Sequence, residues 1–290
     1  MFFTRNSFLD IKKAMLVFFA LVCGTVFPTN HIPTAKADIF DNAFSTVSSG
    51  FDYIWPDGVQ FKDFKYRLGL GVGMTPDYSG SNDYSLRVVP LIDVRFKNRW
   101  TLQGSKLRVN VLSNEVLKLG PLINYRFGRG ESNNLALTGL GNVSGTMQVG
   151  AFAELQTGLL LASAEVRQAV GSGHGAEAIF IVGNGLYRDE NWLVVMGLRG
   201  VWSSGKQTQA YYGVNETQAL ASGYEVSKMS SGFNDVGLNF IVRYQLNDSA
   251  RIENIVGVSK IIGSAASSPI VKLKGSTNQV IFGVGFRYSF

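Results

Sequence analysis

Apolar and polar residues alternate along much of the chain after residue 63. From Phe64 to Met74 every second residue is apolar, and the residues between them are lysine, arginine or glycine. Alternation with period two predicts a β-strand with one apolar and one polar face. The pattern recurs in Tyr84–Phe96, Leu117–Phe127, Met147–Leu155, Trp192–Trp202, Val236–Leu246 and Val280–Phe290. The sequence therefore predicts an all-β fold.

These predicted strands are longer than those of soluble proteins. They have about 10–14 residues, whereas soluble strands usually have about 5–6 and a tilted membrane-crossing strand needs about 9–11. Aromatic residues lie near the strand ends, as in the interfacial girdles of a membrane barrel. We therefore predict a closed antiparallel transmembrane β-barrel over residues 64–290, with a soluble β-sandwich as the weaker alternative.

The number of strands depends on one short segment. Apolar residues occupy even positions in Trp100–Leu102 but odd positions in Leu107–Val111, so Gly104-Ser105 is either a bulge or a tight turn. A turn gives twelve strands, and ten is the alternative. Twelve strands place four long loops outside, namely Gly128–Gly145, Gly171–Gly175, Ser204–Ser231 and Gly263–Ser276. They place four short turns in the periplasm, at Asn98, Ser113–Glu115, Arg188–Glu190 and Asn247-Asp248.

The first 37 residues have the layout of a secretory signal peptide. Lys12 and Lys13 precede an apolar run from Ala14 to Phe27, which is too short for a spanning helix of about 20 residues. Ala35-Lys36-Ala37 has the small-x-small pattern that a signal peptidase recognises. Cleavage would leave residues 38–63 as an aromatic-rich periplasmic segment before the barrel.

Cysteine and charge exclude several classes of function. The only cysteine, Cys23, lies in the signal, so the mature chain has no disulfides, thiol nucleophiles or cysteine-metal sites. The signal contains four basic residues and one acidic residue, so cleavage lowers the net charge from +6 to +3, too little to predict nucleic-acid binding. His174 is the only mature histidine, and no orienting group marks it as part of a hydrolase with Ser172. We predict no catalytic, metal or cofactor residues.

The polar face of the predicted strands is basic. It carries twelve basic against five acidic residues, which predicts either a lumen plugged by ion pairs or an anion-favouring pore. The candidate lumen-lining residues are Arg67, Arg87, Arg126, Glu154, Arg199, Arg243 and Arg287. In the longest loop, Tyr211, Tyr212 and Tyr224 are candidates for surface contacts with a protein or glycan.

The last strand carries a candidate assembly signal. Phe286, Tyr288 and the terminal Phe290 form an alternating aromatic face. An open edge strand with this face would invite aggregation, so we expect it to close on the first strand.

Several short motifs resemble the MipA/OmpV family of outer-membrane proteins. They occur in family order and are Gly71–Ser81, Gly120-Pro121, Leu137–Gly141, His174-Gly175, Tyr211–Val214 and Ser268–Val271. The resemblance implies an outer-membrane barrel without catalytic residues or a cofactor. Its name-giving member is a scaffold that brings a murein transglycosylase and a peptidoglycan synthase together, and other members resemble adhesins or small-solute proteins. The resulting prediction is a non-enzymatic scaffold with outer-membrane lipid around it, and the alternatives are an anion-favouring pore and a surface adhesin.

The small-x-small site generates the first testable prediction. Export should remove residues 1–37, because Ala35 and Ala37 fit the two small-residue pockets of a signal peptidase. Intact-mass measurement of protein purified from envelopes should give a chain that begins at Asp38. Retention of the first 37 residues would show that the apolar run is an anchor.

Overall fold

The computed structural model describes residues 64–97 and 99–290, with side chains from residue 66 onward. The predicted signal peptide and its predicted cleavage site, the segment 38–63 and Asn98 lie outside the described residues. The described chain forms thirteen β segments, which are β1 Phe64–Pro76, β2 Tyr84–Phe96, β3 Trp100–Gln103, β4 Lys106–Val109, β5 Leu112–Ser113, β6 Leu117–Arg126, β7 Thr146–Thr157, β8 Leu160–Val170, β9 Ala176–Arg188, β10 Trp192–Ser203, β11 Gly232–Gln245, β12 Ala250–Ile261 and β13 Asn278–Ser289.

These segments form one closed antiparallel barrel. Consecutive strands pair with each other, and β13 pairs back onto β1, with Arg67 opposite Ser289 and Met74 opposite Phe282. Both β4 and β5 pair with β6, so they are two pieces of one strand that is interrupted at Asn110-Val111. The wall therefore has twelve strands, which confirms the predicted count over the alternative of ten.

The turn that sets this count lies at Gly104-Ser105. Gln103 pairs with Lys106, so two residues connect β3 to β4, and Gly104 has a φ of +53°. Two-residue hairpin loops require a positive φ, which glycine adopts without steric cost. The hairpin is short, since β3 and β4 have four residues each beside thirteen in β2.

Alternation along each strand separates a lipid-facing surface from the barrel interior. In β9, Phe180 faces outward and is 42% exposed, whereas Ile181 faces inward and is buried. The interior is crowded enough that a Cβ on Gly71 would lie 3.3 Å from the side chains of Val89 and Leu91. Glycines in β1 therefore make room for large inward residues of β2. No helix in the described ranges is long and apolar enough to cross a bilayer.

The connections at one end of the barrel are short turns, as is usual on the periplasmic side. The turns Asn114–Val116 and Asp189–Asn191 begin one residue later than the sequence predicted. Asn114 and Asp189 fix these positions, because their side-chain oxygens accept hydrogen bonds from backbone N–H groups two and three residues later.

The long loops at the other end fold into a cap. It contains four short helices that the sequence analysis did not predict, at Gly205–Tyr212, Glu216–Ser222, Gly263–Ala266 and Pro269–Lys274. Two buried apolar clusters hold the loops together. The first consists of Tyr78, Leu137, Leu140, Val214 and Ile270, and the second of Tyr212, Ile261, Ala265 and Val271. These clusters join residues from four different loops, so the cap packs as one body.

The C-terminal aromatic residues lie where the barrel closes. The ring of Phe290 stacks on Tyr66 of β1 with centroids 5.3 Å apart, and Tyr288 meets Phe290 edge to face at 4.8 Å. The backbone N–H of Phe290 donates to the carbonyl of Tyr66 at 3.2 Å. The terminal residue thus adds a ring contact and a hydrogen bond to the β1–β13 seam.

Deletion of Phe290 should impair assembly, because it removes the ring and the backbone donor that extend this seam. We expect severalfold less heat-modifiable folded protein in the outer membrane, measured by gel mobility with and without boiling. The Phe290→Tyr variant keeps the ring and should assemble normally. Equal folded amounts for the deletion and the parent would contradict the assembly role.

Candidate functional site

A buried carboxylate on β2 gathers arginines in the lower lumen, the half nearer the short turns. Asp93 is 1% exposed and pairs with Arg67 at 2.5 Å and with Arg95 at 3.1 Å. Arg287 of β13 lies 4.0 Å from the same carboxylate. The pairing follows from strand register, because Arg67 stands directly opposite Asp93 across the β1–β2 ladder.

A second carboxylate binds three arginines beside it. Glu253 of β12 is fully buried and lies 2.7–3.1 Å from the Nε atoms of Arg243, Arg251 and Arg287. Arg287 therefore links this group to the Asp93 group. Removing one partner from such a buried network leaves uncompensated charge in a low-dielectric interior, which is strongly unfavourable.

The opposite wall carries a third group of ion pairs. The pairs are Arg108–Glu154 at 3.2 Å, Lys106–Glu165 at 2.8 Å, Arg167 with Glu165, Arg167–Glu177 at 3.7 Å and Arg126–Glu177 at 2.5 Å. Gln148 donates to Glu177 and accepts from Asn124, so amide groups extend the network across β6 and β7. These pairs connect residues of β4, β6, β7, β8 and β9. Ion pairs and hydrogen bonds therefore link neighbouring strands on this side of the lumen.

An apolar cluster adjoins the lower ion pairs on the side of the cap. Ile255 lies two residues beyond Glu253 along β12, and Ile241 lies two residues before Arg243 along β11. The whole cluster consists of Val89, Leu91, Leu161, Leu193, Val195, Ile241 and Ile255, all buried. Leu193 of this cluster stands directly opposite Arg243, so charged and apolar side chains lie next to each other in the barrel interior.

The structure distributes the predicted lumen residues over two depths. Arg67, Glu154, Arg243 and Arg287 are buried in the ion-pair groups, with exposures of 3–5%. Arg87, Arg126 and Arg199 lie nearer the cap and are partly buried. Arg199 pairs with Asp235 at 2.5 Å, and Arg87 donates to the hydroxyl of Thr75 and the carbonyl of Asp77.

The three loop tyrosines point into the cap. Tyr212 is 7% exposed and shares a hydrogen bond with Ser79, Tyr224 donates to the carbonyl of Ala136, and Tyr211 lies under the guanidinium of Arg126. Burial raises the pKa of Tyr212 to about 12, so its hydroxyl remains protonated at physiological pH. Packing inside the cap, rather than contact with an outside partner, accounts for the positions of these rings.

A cavity of about 180 Å³ lies between the cap and the strands. Arg87, Arg126 and Arg199 line it together with Tyr211 and Tyr212. Its other lining residues are Asp77, Tyr78, Ser79, Gly128, Arg129, Asn133, Arg167, Glu177, Ile179, Val201, Ser203, Gln207, Asn234 and Asp235. The cavity is thus polar and rich in arginine.

Sequence reasoning missed three charged residues of this interior. Lys106 is 2% exposed, and Asp235 pairs with Arg199. Each lies an even number of residues from inward-facing residues of its own strand, so alternation could have predicted both. Arg129 lies in the loop after β6, where no alternation exists to predict burial, yet it is only 7% exposed.

His174 has no catalytic arrangement around it in the described part of the chain. Its ring meets Tyr211 with centroids 6.2 Å apart, while the hydroxyl of Ser172 accepts from the backbone N–H of His174. Desolvation, followed by the nearby charge of Arg126, lowers the pKa of His174. Within residues 64–97 and 99–290, no group of three or more His, Cys, Asp or Glu side chains is arranged to hold a metal ion.

Comparison with known families decides which group this filled barrel belongs to. The sequence profile of the family described as "MltA-interacting protein MipA" matches residues 68–290, which is nearly the whole barrel. The chain is a member of the MipA family. No curated protein matches it. The family match covers every strand after the start of β1, so the MipA assignment refers to the barrel itself.

Solved outer-membrane structures are only distantly similar to this MipA-family barrel. A KdgM porin is 12% identical over 77% of this chain and 99% of that chain, with a TM-score of 0.41. An outer membrane channel from Pseudomonas putida F1 is 10% identical over 81% and 99%, with a TM-score of 0.42. The translocator domain of autotransporter NalP from Neisseria meningitidis is 9% identical over 88% and 100%, with a TM-score of 0.44. Likenesses this weak add nothing to the chain's own strand pairing.

Replacing Glu253 with glutamine should destabilise the barrel, because three arginine side chains would lose their shared carboxylate. We expect a loss of about 3–5 kcal/mol in the free energy of unfolding, as for other broken buried ion pairs. Urea unfolding in detergent micelles measures it. The matched control Glu115→Gln changes an exposed carboxylate in a turn and should cost little. Equal midpoints for both variants would mean that Glu253 does not hold the arginines together.

Proposed function

We propose that this MipA-family chain is a non-enzymatic outer-membrane scaffold that binds a murein transglycosylase from the periplasmic side. The observation that carries the proposal is the filled lumen. In the described residues, ion pairs and an apolar cluster occupy the barrel interior, and a packed cap lies at one end. A barrel built in this way presents surfaces at its two ends rather than a route for solutes. The family description names an interaction with MltA, and that interaction is the basis for the choice of partner.

The periplasmic end offers exposed apolar residues for such a contact. Residues 111–116 are all exposed, although successive residues of a strand face opposite sides, so both faces of this segment are accessible. Val111 is 67% exposed, Leu112 45% and Val116 52%. Exposed apolar residues that lie together favour a protein interface. A peptidoglycan synthase is the second partner that the family resemblance suggests for the same scaffold.

The two alternative functions make different demands on the structure. An anion-favouring pore needs a continuous water path past Glu253 and the apolar cluster. An adhesin would act through the cap, where Leu135 and Leu220 are 92% and 90% exposed. The segment 38–63 remains a predicted docking element for a periplasmic partner and lies outside the described residues.

The scaffold proposal predicts that charge in residues 111–116 weakens capture of the transglycosylase. The double variant Val111→Asp and Val116→Asp should reduce capture by immobilised transglycosylase at least about fivefold, since each loss at an interface costs ~1 kcal/mol or more. The measurement is a pull-down from detergent-solubilised envelopes with the folded state checked by heat modifiability.

The control carries the same charges at the other end. The double variant Leu135→Asp and Leu220→Asp alters the most exposed apolar residues of the cap and should leave capture unchanged. A third protein without residues 38–63 separates the two periplasmic sites. Loss of capture only in this deletion would move the contact to that segment. Undiminished capture by all three proteins would dismiss the scaffold role.

A further inference from the structure

The barrel wall has a gap above the short β3–β4 hairpin. On one flank β2 pairs with β3 only through Asp93–Phe96. On the other flank β6 pairs with β4 only as far as Asn124, followed by one hydrogen bond from the backbone N–H of Tyr125 to the carbonyl of Ser105. Among the described residues, nothing pairs with the edge of Tyr84–Leu91 that faces away from β1. In the described ranges the wall is therefore continuous through the β3–β4 hairpin, but β2 and β6 are not paired with each other on the cap side of it.

The free edge of β2 carries a residue suited to an unpaired position. The carbonyl of Ile92 accepts a hydrogen bond from the backbone N–H of Gly104, so it points away from β1. The backbone groups of every second residue of β2 point toward this same edge. By alternation, the backbone groups of Leu86, Val88 and Pro90 point into the gap. Proline occurs on edge strands because it has no N–H to leave unsatisfied. Hydrocarbon alone cannot satisfy the remaining donors and carbonyls, so a polar group must reach them.

The cavity beneath the cap reaches both flanks of this gap. Arg87 comes from the stretch of β2 that pairs with β1 on its other edge, and Arg126 and Arg129 come from the end of β6 and the loop behind it. At about 180 Å³ the cavity has room for one phosphate group, whereas a whole lipid is far larger. Its charged lining consists of five arginines, Arg87, Arg126, Arg129, Arg167 and Arg199, and three carboxylates, Asp77, Glu177 and Asp235.

Arg129 is the residue of this cavity that most requires an anion. It is 93% buried, and no carboxylate of the described residues lies within 4.0 Å of its guanidinium. One Nη donates to the carbonyl of Tyr211 at 2.8 Å, but Nε has no hydrogen-bond partner. A buried guanidinium without a counterion is costly, and its planar fork matches phosphate oxygens.

We propose that this cavity binds the phosphate group of a membrane amphiphile that enters sideways through the gap between β2 and β6. The phosphate pairs with Arg129 and completes its hydrogen bonds. The apolar tail remains beside Leu86 and Val88, whose side chains face the lipid. The polar portion of the ligand reaches the unpaired edge of β2. The site therefore takes its ligand from the membrane and not from the aqueous lumen.

A phosphorus NMR titration of the folded mature protein in a phosphate-free non-ionic detergent tests the site. Octyl phosphate is the probe, and inorganic phosphate is the comparison. We expect saturable binding of octyl phosphate, at least tenfold tighter than that of inorganic phosphate. Arg129→Gln should weaken it at least tenfold, while Lys272→Gln, an exposed cation of the cap, should not change it. Absence of saturable binding, or an Arg129→Gln variant that binds like the parent, would overturn the proposal.

A second measurement tests the sideways route. Because the mature chain contains no cysteine, a bulky maleimide can be attached at Leu86→Cys beside the gap or at Val182→Cys on the outer face of β9. These positions are 44% and 54% exposed in the parent. The label at position 86 should block octyl phosphate, and the label at 182 should not. Equal binding by both labelled proteins, or equal affinity for octyl and inorganic phosphate, would show that the anion comes from water.

Discussion

The confinement of charge to the inside of a closed wall is the constraint on which the rest of this structure depends. Lipid surrounds the barrel, so its charged strand residues face inward, where isolated charges are also unfavourable. The fold meets this demand by register. Asp93 and Glu253 each stand between arginines from neighbouring strands, and Arg287 connects the two groups. The contacts that pair these charges also occupy the interior.

Because the interior is filled, the accessible surfaces of the barrel outside the membrane lie at its two ends. The cap closes one end through apolar clusters that join four loops. The other end carries short turns and the exposed residues 111–116. Within residues 64–97 and 99–290, strand pairing is interrupted beside the short hairpin. This interruption lies on the cap side of the wall, where Arg129 is buried without a carboxylate. The proposed scaffold contact and the proposed lipid site therefore lie in different parts of the barrel.

Period-two alternation predicted the strands and the closed barrel, because one face of each strand contacts lipid and the other faces the barrel interior. The shift of apolar parity around Gly104-Ser105 indicated a bulge or a tight turn, and the turn gave the twelve strands that the structure has. Alternation cannot predict which arginine meets which carboxylate, since that depends on register and on distances across the lumen. The sequence analysis did not predict the cap helices, because each is too short for a helical pattern of apolar and polar residues to repeat. The buried Arg129 left no sequence signal, since tertiary packing alone makes it inaccessible.

The filled lumen is the central claim, and planar-bilayer conductance of the pure protein tests it most directly. Ion pairs around Glu253 and the apolar cluster that contains Ile255 occupy the barrel interior beneath the cap, so we expect no ion to pass. The account predicts no conductance steps at moderate voltage and physiological salt. Reproducible steps, whether anion-selective or cation-selective, would show a continuous water path and contradict it.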